Sequence, residues 1–173
     1  MSASSSDISL RAAGPADEDI IRRWLKAPHV TRWTHRVFST ISGALDSAPS
    51  DTETTLFIVE HAGQAIGCAH VYGAAGDPRW KAITDVTGRT RAIDFLIGES
   101  DFLNRKNGQA LLRGLARQIF RDPEIDRIVA CPYPDNWPAV IALKRAGFRE
   151  KGRHPDSAMN AMYLTVTPHT LKG

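Results

Sequence analysis

The chain has 173 residues, 42% hydrophobic and 24% charged, with a formal net charge of +3, which suits one domain with a core of its own. No apolar run approaches the length needed to span a bilayer, and the Met-Ser-Ala-Ser-Ser-Ser-Asp start has neither the basic opening nor the apolar centre of a signal peptide. No basic run interleaves with aromatics as in nucleic-acid binders, so a soluble, cytoplasmic protein bound to neither nucleic acid nor membrane is expected.

Ile8 to Arg11 reads as a short edge strand. Gly14-Pro15 and the acidic run Asp17-Glu18-Asp19 then open a helix that buries Ile20, Ile21, Trp24 and Leu25 and stops before Pro28. Pro28 to His35 keeps neither the helical nor the strand period; such a segment either lines a pocket or hangs as a surface loop on one anchoring aromatic. Trp33 is its pocket candidate, while His29 and His35 read as ordinary loop histidines. Val37 to Leu45 follows as a helix and residues 47–53 as a polar linker.

Thr55 to Glu60 and Ala65 to Tyr72 form an antiparallel hairpin that turns through His61-Ala62-Gly63-Gln64. Alternation places Ile66, Cys68, His70 and Tyr72 on one face, opposite Gly67, Ala69 and Val71. His70 or Tyr72 can face a cleft, or the tyrosine can be core with its hydroxyl hydrogen-bonded. Cys68 and Cys131 lie far apart without metal-ligand spacing and are expected as free thiols. Gly73 to Thr90 is a long excursion rich in Gly, Asp, Arg and Pro with Trp80 in the middle, the kind of loop that is either functional or disordered.

Ala92-Ile-Asp-Phe-Leu-Ile97 is an apolar strand interrupted by Asp94. A charge among Ile93, Phe95 and Leu96 is costly unless it pairs with a cation such as Arg91 or performs chemistry. Leu111, Leu112, Leu115, Ala116, Ile119 and Phe120 then recur as the wide stripe of a helix packed on a sheet. Between strand and helix lies Asn104-Arg-Lys-Asn-Gly-Gln-Ala110, polar and cationic, with Gly108 where the helix opens. Unpaired amides at a helix start, the helix dipole and two adjacent cations make an anion site. The charge suits a polyphosphate ligand or, equally, a scattered basic surface: residues 1–90 hold nine Lys/Arg against ten Asp/Glu, and 91–173 hold thirteen against nine. Neither G-x-G-x-x-G nor G-x-x-x-x-G-K-[ST] is present; the motif is R-x-x-G-x-A, Arg105 to Ala110.

After the loop Asp122 to Asp126, Arg127 to Pro132 is a strand, Asn136 opens a helix, and Gly147 ends it ahead of Phe148. Phe148 to Arg153 and Ala161 to Val166 are the last two strands, with an exposed turn holding His154 between them.

R-x-x-G-x-A between this strand and this helix, with the later Asp135-Asn136 helix and its closing Ala-Gly-Phe, resembles the GNAT superfamily of N-acetyltransferases. Within it the chain is most similar to the aminoglycoside 6'-N-acetyltransferase branch and the related siderophore acyltransferases. The resemblance is strongest from Ile93 to Phe148 and traceable through Trp24-Leu25, His29-Val30, Trp33 and Ile66 to Tyr72. It implies one acetyltransferase domain over 1–173 with frayed ends at 1–7 and 168–173. The implied fold is α/β: a mixed, mostly antiparallel seven-stranded sheet with helices on both faces.

The implied cofactor is acetyl-CoA, without metal. Its pyrophosphate would lie on Arg105, Lys106, Asn107, Gly108, Gln109 and Ala110, and its acyl end beside Phe95, Leu96 and Ile97. Asn136 would hold the pantetheine arm or cap its own helix. Trp33, Tyr72, Trp80, Asp85 and Asp94 would face the acceptor, with Asp94 taking the ammonium proton and Asp85 holding the ammonium in place. Two departures stand out. Leu143 occupies the position of the family's tyrosine acid, leaving water, Tyr133 or the amine's own proton for the thiolate, and Arg79-Trp80-Lys81 replaces an acidic cluster. The expected activity is acetyl transfer to a small primary amine, an aminoglycoside or another amino sugar, in antibiotic resistance or in metabolism; Arg79 and Lys81 make a polycationic drug the weaker of these expectations. The alternatives are a siderophore-type hydroxylamine acyltransferase and a non-catalytic acyl-CoA sensor, in a monomer or homodimer. Two features test the whole reading: uncapped amides at Gly108 and an open gap beside residues 92–97.

Overall fold

The computed structural model describes residues 7–33, 41–45 and 54–173. The expected helix over Val37 to Leu45 is helical at 41–45, its earlier part and the 47–53 linker lying outside the described residues, as does His35. β1 (Ile8–Ala12), β2 (Thr55–His61), β3 (Gln64–Gly73), β4 (Thr90–Ile97), β5 (Arg127–Ala130), β6 (Arg149–Arg153) and β7 (Met162–Val166) form one sheet. Its order is β1-β2-β3-β4-β5-β7-β6. Every neighbouring pair is antiparallel except β4 and β5, whose connection carries a crossover helix. The α/β class, the seven strands and the mostly antiparallel sheet agree with the sequence reading.

Parallel pairing covers only Thr90, Arg91 and Ala92 against Arg127, Ile128 and Val129. β4 runs on to Ile97 while β5 ends at Ala130, so the strands part and that edge of β4 has no strand beside it among the described residues.

Among the described residues five α-helices flank the sheet: α1 (Glu18–Leu25), α2 (Pro28–Thr31), α3 (41–45), α4 (Asn107–Ile119) and α5 (Trp137–Ala146). On one face Leu111, Leu112 and Leu115 of α4 and Leu143 of α5 pack on Ala69, Val71, Ile93 and Ile128. Each such side chain contributes about 1.5–3 kcal/mol by leaving water. On the other face Ile21, Trp24 and Leu25 of α1 and Val30 of α2 cover Ile58, Cys68 and Leu96. A third cluster, Tyr72, Trp80, Ile83, Val129 and Tyr163, lies beneath the long excursion. No helix among the described residues is long and apolar enough to cross a membrane.

Three local expectations are corrected. Pro28 to Thr31 is a helical turn, because proline at the first helical position gives up an amide that has no partner there anyway. A bulge opposes Val59 to Gly67 but Glu60 to Ala65, leaving Ile66 as the extra residue. Ile66 therefore joins Ala69 and Val71 beneath α4, while Cys68 stays on the opposite face. His154 is buried: its Nδ1 accepts from the Asp156 amide at 3.1 Å, so Nε2 carries the proton and donates to the Arg79 carbonyl at 2.8 Å. Cys68 and Cys131 are free thiols, as expected.

α1 and α2 are held over the end of β4 by Gly98. A Cβ there would lie 2.0 Å from Cγ of Trp24, so only glycine lets the indole lie on the backbone. Trp24 Nε1 donates to Glu99 at 2.8 Å, and His29 Nε2 donates to the Ile97 carbonyl at 3.0 Å. The hairpin from β2 to β3 turns through Ala62 (φ 48°) and Gly63 (φ 84°). Asparagine tolerates that left-handed backbone better than alanine, so Ala62→Asn should stabilise the fold by about 0.5–1 kcal/mol. The urea midpoint should rise with the slope unchanged.

Candidate active site

The loop from β4 to α4 bends through two non-glycine residues in the left-handed region, Asn104 (φ 59°) and Lys106 (φ 63°). Such conformations cost about 1–3 kcal/mol each and gather at functional sites. Here they set the entry angle of α4. Asn107 is buried and its Nδ2 donates to the Phe102 carbonyl at 2.9 Å, which pins the first residue of the helix. No side chain caps α4. The Ala110 amide reaches the Lys106 carbonyl at 3.2 Å, whereas the amides of Asn107, Gly108 and Gln109 have no acceptor among the described residues. Three unpaired N–H groups at the positive end of a thirteen-residue helix form an anion cradle.

That cradle opens onto a groove of about 670 Å³. Phe95, Leu96 and Ile97 form one wall where β4 has left β5, and Trp137, Ile141 and Ala142 of α5 form another. Trp137 is 63% exposed and Ile141 is exposed too, apolar surface that water covers poorly. Lys106 and Arg145 add cationic charge to the lining. At its inner end the groove shares Trp33, Phe95, Asn136 and Ala139 with a smaller chamber of about 50 Å³.

The chamber wall also includes Tyr72, Arg79, Asp94, Cys131, Tyr133 and Leu143. Asp94 stands half-buried on the face of β4 opposite Phe95, directly across from His70 of β3. Arg91 does not turn its guanidinium to Asp94: it donates to the Gly88 and Thr90 carbonyls at 3.1 and 3.3 Å. Arg79, brought in by the excursion, is a cation that feels the Asp94 charge. Arg79 gives Nε and Nη2 to Asp77 at 2.9 and 2.7 Å and lies over the Tyr72 ring, 4.7 Å from its centroid. Burial of Asp77 is outweighed by these bonds, which hold its carboxyl below the usual range. Burial and the Asp94 charge push the Tyr72 phenol well above its usual range, so it is a neutral hydrogen-bonding group.

Several expected site residues stand elsewhere. Trp80 is buried behind Tyr72, to whose hydroxyl its Nε1 donates at 3.1 Å, and does not line the chamber. Asp85 does not line it either: its carboxylate pairs with Arg127 and accepts from the Tyr163 hydroxyl at 3.3 Å, tying the excursion to β5 and β7. Lys106, Asn107, Gly108 and Gln109 line the groove, but Arg105 and Ala110 do not. Asn136 lines both spaces and caps α5 through a long 3.4 Å bond from the Ala139 amide to its Oδ1. Sequence reasoning missed Cys131 as chamber lining and took Arg79 only as a departure from an acidic pattern. The path of an irregular excursion, which carries Arg79 back to β4, leaves no periodic signal.

The model of the acetyltransferase (GNAT) domain matches residues 14–155. The chain is 28% identical over 172 residues to an aminoglycoside N(6')-acetyltransferase type 1 of Klebsiella pneumoniae, an alignment covering 95% of this chain and 85% of that one. It is 31% identical over 88 residues to a kanamycin resistance protein of Rhizobium radiobacter, covering 51% and 80%. Its backbone superposes with a TM-score of 0.79 on a crystal structure of the aminoglycoside acetyltransferase AAC(6')-Ib in complex with coenzyme A and kanamycin, at 29% identity over 94% of this chain and 96% of that one.

Proposed function

Since the chain belongs to the GNAT acetyltransferase domain family and is an acetyltransferase, we propose that it moves the acetyl group of acetyl-CoA onto a primary amine of a small molecule, with residues 1–173 acting as one catalytic domain. The observation that carries this reading is the continuity of the site: uncapped α4 amides open onto a groove that follows the free edge of β4 and ends at Asp94. The complex of the similar aminoglycoside acetyltransferase with coenzyme A supports the choice of cofactor.

Acetyl-CoA supplies the activated thioester. Asn107, Gly108 and Gln109 would hold its diphosphate through their amides, with Lys106 adding charge, and Phe95 to Ile97 would border the pantetheine arm. Asp94 accepts the proton that an alkylammonium must lose before its nitrogen can attack. Leu143 brings no hydroxyl to the chamber, so Tyr133 is the lining residue suited to meeting the departing thiolate. Among the described residues no group of three or more His, Cys, Asp or Glu could hold a metal ion, and no step here needs one.

The similar enzymes are named for aminoglycosides, which makes amino sugars the first acceptor class to test. The chamber adds a restriction. Its described lining carries one carboxylate, Asp94, and the Arg79 guanidinium that Asp77 already pairs, so one ammonium finds a counter-charge there and a second close by finds none. The test is thiol release from acetyl-CoA across amino sugars, aminoglycosides, simple monoamines, hydroxylamines and polyamines. Release with amines bearing one ammonium near the reacting nitrogen is expected. Absence of release with every amine would sink the proposal, and release with hydroxylamines alone would move the enzyme to the siderophore-type class.

A further inference from the structure

His70 is buried at 5% exposure, yet neither of its ring nitrogens has a hydrogen-bond partner among the described residues. Buried polar atoms are nearly always paired, because stripping them of water without replacement is costly. The ring is fixed from one side by Tyr72, with centroids 5.1 Å apart and planes 28° apart. Tyr72 is fixed in turn by Trp80. A leucine would fill such a place without stranding two polar atoms, so packing does not explain the imidazole.

Its position does. β3 and β4 pair antiparallel with His70 directly opposite Asp94, and residues so opposed share a face with their Cβ atoms about 4.5–5.5 Å apart. Asp94 lines the chamber and His70 does not. The imidazole therefore shares the face of the strand pair that carries the carboxylate, outside the chamber lining itself. The charged groups around it are Asp94 across the strand pair and Asp77 and Arg79 from the excursion. Burial first, and then the charge of Arg79, lower its pKa to about 4, so the ring is neutral and offers one donor and one acceptor nitrogen.

We propose that His70 is the positioning residue of the catalytic carboxylate: unbonded in the resting enzyme, its ring accepts a hydrogen bond from the carboxyl group formed when Asp94 takes the ammonium proton, and so holds that group in place. One N–H bond of the ammonium breaks and one O–H bond forms on Asp94; the proton stays on that oxygen, shared with the imidazole nitrogen, until it is lost to solvent. The unpaired nitrogens of the resting enzyme are then groups held ready for the loaded one, a stability cost carried for function.

This role rests on the acetyl-transfer reading, and the test separates the two. Wild type, His70→Leu and His70→Gln are compared by thiol release with the best acceptor and by thermal melting. His70→Leu should melt no lower than wild type and lose roughly tenfold or more in kcat, a share of the 10²–10⁴ that a general base supplies, with KM for either substrate little changed. His70→Gln, which keeps a donor and an acceptor, should recover part of that loss. A His70→Leu enzyme with wild-type kcat overturns the role while leaving acetyl transfer in place. A fall in melting temperature and activity together, or failure to fold, also overturns it, because the ring would then be structural. A wild type silent with every amine sinks both.

Discussion

Asp94→Asn should lower kcat on the order of 10²–10⁴-fold while leaving the affinity for acetyl-CoA within about twofold of wild type. The substitution keeps shape and hydrogen-bonding capacity but not the ability to take a proton. Asp94 faces the chamber from the side of β4 that looks toward His70 and Tyr72, whereas the cofactor groove is bordered by Phe95 to Ile97 and the start of α4. The two functions are thus separable because Asp94 lines the chamber and not the groove. The acceptor side is less protected. With the carboxylate gone, the described chamber lining offers an ammonium no counter-charge, since its other charged group is the Arg79 cation already paired with Asp77. KM for the amine should therefore rise, and more steeply for an acceptor with two neighbouring ammoniums than for a monoamine. Steady-state thiol release and cofactor titration by calorimetry check both parts. A variant that retains wild-type kcat would remove Asp94 from the chemistry and leave the chamber without a base.

How much of this was legible in the residues follows from where the physics is local. β4, α4 and the anion cradle could be read because a change of period from strand to helix, a glycine at the junction and flanking cations all act within about twenty residues. Asp94 stood out for the same reason, as a charge in an apolar strand. Ile66 was misplaced because a bulge shifts alternation by one residue, and composition does not announce where a ladder slips. Trp80 and Asp85 lie on the excursion, where no periodicity constrains direction, and they turn to Tyr72 and to Arg127 and Tyr163. His154 read as a turn residue, but its two bonds and its tilted contact with Trp80 bring it inside. The unpaired state of His70 was beyond reach of the sequence, because it depends on what several separate segments fail to supply.

Gly108→Glu should weaken acetyl-CoA binding about 100-fold and at the same time leave the protein as stable as wild type or more so. A Cβ at Gly108 would sit 3.4 Å from the Ala142 Cβ, ordinary contact, so the seam between α4 and α5 accepts that atom. Glycine in a helix costs about 1 kcal/mol relative to good helix formers, and a carboxylate in the first turn gains about 0.3–1 kcal/mol from the dipole. Both effects favour the folded variant. The same carboxylate, however, stands where the uncapped amides await a diphosphate. Two like charges about 5 Å apart at an effective dielectric near 20 repel by about 3 kcal/mol, a factor of about 100 in affinity. Gly108→Gln brings similar bulk and helix propensity without charge and should lose far less. Melting curves and acetyl-CoA titrations of the three proteins at low and moderate salt decide the matter, because a charge effect fades as salt rises and a steric one does not. Equal losses in the glutamate and glutamine variants would mean that space, and not charge, governs this end of the groove. If both variants bind acetyl-CoA as wild type does, the diphosphate does not lie on α4.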